Sequence, residues 1–158
     1  EKKLYQEWLA EAARDPESKV LEIDHFKVVA DWVHWAIAEM TLLKDFRPDP
    51  EWISKRLGGA RPPEVIRESI ERLISVGLLE RTNTGLRKVH PRVTTPRNAV
   101  SRAIREHHRA VLGLAAEALD SQSTHERYFN SCTLTIARDR LPEAQNLILE
   151  FRAKMERL

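Results

Sequence analysis

Cysteine is nearly absent from this chain of 158 residues, in which Cys132 is the only one. A single thiol forms no intramolecular disulfide and builds no zinc site of several cysteines, and such a composition fits a reducing cytoplasm. We therefore expect a cytoplasmic protein. Cys132 lies among β-branched residues, so we predict a small buried residue of a strand, with a catalytic thiol as the alternative.

Long apolar runs are also missing. None approaches the roughly 20 residues that a membrane-spanning helix needs, so we expect no membrane partner. Glycine is scarce, with five residues, while the helix formers Leu, Ala, Glu and Arg are abundant. The composition therefore predicts a mostly α fold with a small β component. The chain starts at Glu1 with neither a methionine nor a signal peptide, and we interpret this as a native start that lies further upstream.

Motifs of known catalytic sites do not occur. The Gly58–Gly59 pair lacks the lysine and hydroxyl residue of a phosphate-binding loop, and there is no G-x-S-x-G nucleophile elbow. His25 and His34 share a predicted helix, but not at the i, i+4 spacing of a zinc helix. The carboxylates lie on charged helical faces rather than in apolar surroundings that raise a pKa. We predict a non-enzymatic protein without catalytic residues, cofactor or metal.

The most informative pattern lies in residues 46–90, which predict two short helices, a turn and a β-hairpin. Asp49 followed by Pro50 is typical of a helix start, because the aspartate accepts free backbone N–H groups and proline tolerates the first helical position. Gly58–Gly59 ends this helix, since glycine adopts the positive φ that a helix end requires. The apolar residues of the helix share one face: Trp52, Ile53 and Leu57.

A second helix is predicted to start near Pro62–Pro63 and to end at Gly77. Its buried side comprises Ile66, Ile70, Leu73 and Ile74. Leu78–Leu79 then begins an extended segment, and Asn83-Thr84-Gly85 supplies a hairpin turn. This order is that of a winged helix-turn-helix, flanked here by a helical bundle. The stretch from Ile66 to Arg81 takes the position of the recognition helix and the first wing strand.

The charge of the second helix argues against a simple DNA reader. Its predicted outer face sums to −1 and consists of Glu64, Arg67, Glu68, Glu71 and Arg72. A helix in the major groove meets phosphates on both flanks, so an acidic face is repelled. The alternative is a winged helix that serves as a scaffold or as a surface for a protein partner.

Positive charge is concentrated in residues 81–109, which carry eight basic residues against one acidic residue, a balance of +7. Residues 1–80 carry 12 basic against 16 acidic residues, a balance of −4. The basic block consists of Arg81, Arg87, Lys88, Arg92, Arg97, Arg102, Arg105 and Arg109. Such a block binds phosphate, DNA or an acidic protein, or else it is a solvated surface that pairs with the acidic first half.

If the chain binds DNA, the contacts are predicted to come from these cations. The wing and the linker after it would hold backbone phosphates through Arg81, Arg87, Lys88, Arg92 and Arg97. Arg61 and Arg67 would lie nearest the groove. Such contacts depend on salt and largely ignore base sequence.

The segments on either side of the winged helix are mainly helical by their apolar spacing. We predict an amphipathic helix over 1–14, a connector over 18–23, and a helix from His25 to Leu43. Asp24 caps this last helix, which is the expected hub of the core. Residues 90–99 form an extended linker, and Asn98 caps a helix from Ala99 to Leu119.

The C-terminal part contains one predicted strand, Tyr128–Ile136, and a last helix that opens at Leu141–Pro142. The strand needs a partner, which is the segment near 18–23, the linker, or its twin in a dimer. The last helix is predicted to face inward through Leu147, Ile148 or Phe151, Met155 and Leu158. We divide the chain into N-terminal helices (1–45), the winged helix (46–92) and a dimerisation or regulatory region (93–158).

Several stretches occur in the order and spacing of a known family. They are Trp32–Lys44 with Asp45–Phe46, DPEWISKRLG (49–58), LISVGLLER (73–81), REHHRAVLGLAAEALD (105–120, with a favoured histidine at His108), ERYFNSCTLTIA (126–137) and EFRAKMERL (150–158). Together they resemble the Fibrobacter–Bdellovibrio paralogous family over nearly the whole chain. That family resembles transcriptional regulators, with a small N-terminal helix-turn-helix before a C-terminal domain of unknown function.

Two departures from that family affect the interpretation. The turn GGARPPEV (58–65) is one residue longer than in that family and holds a Pro–Pro pair, and the N-terminal helix-turn-helix is missing. The resemblance implies the C-terminal region of a bacterial transcriptional regulator that contacts DNA backbone through wing and linker. The alternative is a protein-binding, ligand-binding or dimerisation module without DNA affinity. The expected partners are DNA, a second copy, or another regulatory protein.

Overall fold

The computed structural model describes residues 18–95 and 101–156. The helix predicted over 1–14, the Asn98 cap, Arg97 and Leu158 lie outside these residues. The chain forms two compact units, of which the first ends at Ser121 and the second begins at Gln122. The predicted fold class, mostly α with a small β part, is confirmed. In the described ranges no helix has the length and apolar character to cross a membrane.

Five helices and four short strands make up the described part of the first unit. In chain order they are β1 (Ser18–Val20), α1 (Ile23–Val28), α2 (Trp32–Met40), α3 (Pro50–Arg56), α4 (Pro63–Ser75), β2 (Leu79–Thr82), β3 (Gly85–Lys88), β4 (Arg92–Thr94) and α5 (Arg102–Ser121). The second unit holds a 3-10 helix (Arg138–Arg140) and α6 (Leu141–Met155).

The winged helix-turn-helix is confirmed in its local details. The Asp49 carboxylate caps α3 by accepting the N–H groups of Glu51 (3.1 Å) and Trp52 (3.3 Å). Gly58 and Gly77 follow α3 and α4 at φ of 67° and 69°, a region that side chains with a Cβ disfavour. The predicted turns therefore end both helices. β2 and β3 pair as an antiparallel hairpin across a two-residue turn.

The single helix predicted from His25 to Leu43 is wrong, because two helices occupy this stretch. The chain leaves α1 at Val28 and re-enters helix at Trp32. Asp31 causes the break, since its side chain accepts the N–H of Val33 (3.1 Å) and caps α2. Asp24, predicted as the cap, lies inside α1 and pairs with Lys27 instead.

The hydrophobic core of the first unit forms around residues 25–43, as predicted. The buried core draws on α1, α2, the winged helix and the segments around them: Leu21, Phe26, Val29, Val33, Ile37, Ile53, Ile66, Leu73, Leu78 and Leu79. Each fully buried side chain of this size contributes about 1.5–3 kcal/mol relative to exposure. The two helices of the α1–α2 region thus hold the winged helix in place.

The predicted connector (18–23) and the predicted extended linker (90–99) pair with each other. β1 and β4 form a parallel ladder in which Ser18 faces Arg92 and Val20 faces Thr94. The Leu21 N–H extends the ladder to the Thr94 carbonyl at 2.8 Å. The first part of the linker is therefore fixed to the fold.

The predictions for the C-terminal part are wrong for the single chain in three respects. No strand forms over 128–136, and two of its three expected partners, the segment near 18–23 and the linker, pair with each other. The residues predicted to face inward from α6 are instead exposed: Leu147 by 60%, Ile148 by 67%, Phe151 by 64% and Met155 by 53%. Cys132, predicted as buried, is exposed as well. The start of α6 at Leu141 is as predicted.

Candidate nucleic-acid and protein interfaces

The helix in the recognition position presents the expected charges. Ile66, Ile70 and Leu73 face the core, and the charged residues of α4 are exposed on the other side. Arg72 pairs with Glu68 at 3.0 Å, one turn earlier. Arg67 is exposed and forms no ion pair within the described part of the chain. The outer face therefore keeps its acidic balance.

The wing cations do not form one basic stripe. In an antiparallel pair, residues directly opposite share a face and neighbours alternate. The register places Arg87 opposite Glu80 and Lys88 opposite Leu79, while Arg81 lies opposite Leu86. Arg81 and Lys88 consequently share one face of the hairpin, and Arg87 lies on the other.

Each wing cation also has a carboxylate partner in its own fold. Arg81 pairs with Glu71 of α4, and the Arg87 Nε donates to Glu80 at 2.6 Å. Lys88 is the most enclosed, because its side chain is only 7% exposed. Its ammonium group pairs with Glu39 of α2 and donates to the Pro91 carbonyl at 2.8 Å.

Arg61, predicted to lie near a DNA groove, is likewise occupied. Its Nη2 donates to the Asp31 carboxylate at 3.2 Å, and its guanidinium lies 5.9 Å from the centre of the Trp32 ring. Burial raises the pKa of Asp31, but the N–H of Val33 and the Arg61 guanidinium outweigh it and hold the pKa below its usual value. The Asp31 carboxylate thus caps α2 and binds the Arg61 guanidinium at the same time.

The other cations of the basic block lie in different parts of the fold. Arg92 lies in β4, which pairs with β1, and it has an interaction partner. Arg97 lies outside the described residues. Arg102 of α5 pairs with Glu106 at 2.6 Å. The structure therefore does not gather the predicted cations into one unpaired surface.

A family model now places the chain among known sequences. It matches residues 12–158, which is most of the chain, and its description is "Domain of unknown function (DUF4423)". The chain belongs to this family. No curated protein matches the chain, and no solved structure matches it.

A histidine and aromatic cluster joins α5 to the helices of the core. His107 bonds through Nδ1 to the Ala30 carbonyl at 2.7 Å, and its ring lies 5.7 Å from Phe26 and 6.3 Å from Trp35. In the sequence, only the helical spacing of His107 from Ile104 and Val111 indicates this contact. The cluster holds the first half of α5 against the core at the break between α1 and α2.

His34, considered from the sequence only as a potential metal ligand, is a buried histidine. It is 3% exposed, and its Nδ1 lies 3.2 Å from the Asp31 carbonyl. Its Nε2 is buried without a hydrogen-bond partner. Burial lowers the pKa of His34, and the nearby Arg72 adds to this against the opposing effect of Asp31. Within residues 18–95 and 101–156, no three His, Cys, Asp or Glu side chains converge as a metal site.

The second unit presents an apolar face on α6. The exposed residues of α6 share one face about 120° wide: Leu141, Leu147, Ile148, Phe151 and Met155. A shallow groove of about 350 Å³ separates this helix from the segment Thr135–Ala137. The large apolar side chains of this unit therefore remain exposed in the single chain.

Proposed function

We propose that this chain is the C-terminal, non-enzymatic regulatory region of a bacterial transcriptional regulator. In this proposal its winged helix serves as a scaffold for protein contacts and reads no DNA. The resemblance to the Fibrobacter–Bdellovibrio paralogous family supports the regulator part. The charges of the winged helix support the rest.

The observation that carries the proposal is the pairing of the cations. Four of the seven predicted DNA contacts, Arg61, Arg81, Arg87 and Lys88, already bind carboxylates of the same fold. A phosphate would have to displace those carboxylates, and each carboxylate left behind would repel it. Counterion release, which drives non-specific DNA binding, requires cations that neutralise phosphates. Paired cations give little of this gain.

The test is fluorescence anisotropy with random duplex DNA at salt concentrations from about 50 to 200 mM. Five phosphate contacts by the wing and linker would give a salt slope near −4.5, so affinity would fall about 500-fold across the series. We expect no such binding. Steep binding that Arg87→Glu with Lys88→Glu abolishes would refute the proposal.

A second variant isolates the effect of the carboxylates. Glu71→Gln with Glu80→Gln frees Arg81 and Arg87, so we expect weak, salt-sensitive binding to appear. The matched control is Glu117→Gln with Glu150→Gln, which changes the net charge equally at exposed positions outside the winged helix (46–92). Equal gains in both variants would show that total charge, rather than pairing, decides the affinity.

The second candidate function is contact with the DNA backbone. The observation in its favour is Arg67, which is exposed on α4 without an ion-pair partner in the described ranges. In that case wild-type protein binds random duplex at about 50 mM salt, and Arg67→Ala weakens binding. The same titration therefore separates the two candidates.

A further inference from the structure

The second unit cannot account for its own stability. None of its described residues is buried, and its large apolar side chains face solvent. Fixing a backbone costs about 1–2 kcal/mol per residue, which burial must offset. A helix and one loop without a core do not offset it. This unit therefore needs a partner surface in order to remain folded.

The segment Arg127–Ala137 shows what kind of partner it needs. It runs without helix, turn, bend or strand pairing. From Arg127 to Ile136, no backbone N–H or C=O bonds to another group in the described part of the chain. A β-branched segment with an unpaired backbone acts as a template for another strand.

The charges around this segment favour its own copy as that strand. Tyr128–Ala137 carries no charged side chain, so two copies approach without repulsion along their length. The segment Arg127–Ala137 has Cys132 as its midpoint. An antiparallel pair centred there places Glu126 opposite Arg138 of the other copy at both ends. A shift by one residue toward the C-terminus instead opposes Arg127 to Arg138 and Glu126 to Asp139, which repel each other.

The apolar pattern selects the same register. Side chains alternate across a strand, and the even positions Tyr128, Cys132, Leu134 and Ile136 form the more apolar face. Pairing centred on Cys132 opposes even positions to even positions, so the apolar faces of both strands lie together. The one-residue shift would set each apolar position opposite one from the more polar face.

We propose that the second unit is a homodimerisation element in which Arg127–Ala137 of two copies pair antiparallel about Cys132. The exposed apolar side chains of the strand segment and of α6 then pack over this two-stranded pair. Nine such residues, at about 100 Å² each, supply about 900 Å² per copy, above the roughly 800 Å² per copy of a stable interface. The inference deepens the proposed function by naming a partner, and it can fail while the absence of DNA affinity stands.

The oligomeric state is the first test. Light scattering after size exclusion should give twice the 18.3 kDa of one chain. In an antiparallel pair alternate N–H groups point to the other strand, so one of the neighbours Thr133 and Leu134 donates across it. Thr133→Pro and Leu134→Pro each remove one of these N–H groups, so we expect at least one of the two variants to be monomeric. The matched control, Thr124→Pro, puts proline at the second position of the Ser123–Glu126 turn, where proline is favoured, and should remain a dimer. A wild-type monomer, or two proline variants that both remain dimers, overturns the proposal.

Disulfide cross-linking tests the register. Directly opposite residues have Cα atoms about 4.5–5.5 Å apart, which a disulfide spans. Diamide, which takes up the two thiol hydrogens, should therefore link Cys132 to Cys132 of the second copy. In a Cys132→Ser background, Asn130→Cys or Leu134→Cys alone should not cross-link, because like residues lie about 13 Å apart. The two together should, since position 130 opposes position 134. A dimer without this pattern refutes the strand pairing.

Discussion

Asp31 combines two roles that substitutions can separate. Its Oδ1 accepts the Val33 N–H and caps α2, while its Oδ2 accepts from Arg61. Asp31→Asn keeps an acceptor for the cap and loses the charge. An exposed ion pair contributes about 0.2–1 kcal/mol, so this variant should lose no more than that. Asp31→Ala loses the cap as well, which costs about 1 kcal/mol further.

Urea unfolding followed by circular dichroism measures both variants, and the expected order of stability is wild type, Asn, Ala. Asp24→Ala is the matched control. Asp24 is an exposed aspartate that caps no helix, so its loss should leave the unfolding midpoint nearly unchanged. Equal losses for Asp31→Asn and Asp31→Ala would refute the capping argument. So would a control as destabilised as Asp31→Ala.

Three further predictions follow from the core and the turns. Because the pKa of His34 is lowered below its unfolded value of about 6.5, the unfolded state binds the proton first, and stability falls as pH drops below that value. His34→Gln should reduce the loss of unfolding free energy between pH 7.5 and 5.5. Part of that loss should remain, because the pKa of His90 is lowered as well. Leu73→Ala, at a fully buried position, should cost about 2–5 kcal/mol in urea unfolding, and Leu112→Ala, at 69% exposure, should cost far less. Gly77→Ala should cost about 1 kcal/mol at its positive φ, although the nearest atom, the Lys19 Nζ, leaves room for a Cβ; an unchanged midpoint would contradict this.

Local signals allowed the winged helix to be predicted from sequence. Asp49 caps a helix through its own next residues, and Gly58 and Gly77 act through their own φ angles. These effects need nothing from distant parts of the chain. The break at Asp31 is equally local, but the continuous apolar pattern on both sides of it concealed the cap.

The pairing of β1 with β4 and the fate of the 128–136 segment depend on contacts between distant residues. A strand signal indicates that a segment can pair, and it does not say with what. Val20 meets Thr94, which lies 74 residues later in the chain, and this contact occupies the two expected partners of the C-terminal segment that belong to the same chain. The third, a second copy of the segment, is not part of a single chain.

The same difference between local and distant contacts governs the basic block. The excess of +7 over residues 81–109 indicates a nucleic-acid surface only if those cations remain unpaired after folding. Glu39 is 49 residues from Lys88 in sequence, yet it binds that ammonium in a largely enclosed position. The acidic first half thus neutralises the wing, as the alternative interpretation of the block allowed. Once the wing is neutralised, the most distinctive described surface is the uncharged one around Cys132. Partner binding is therefore better sought at the C-terminal unit than at the wing.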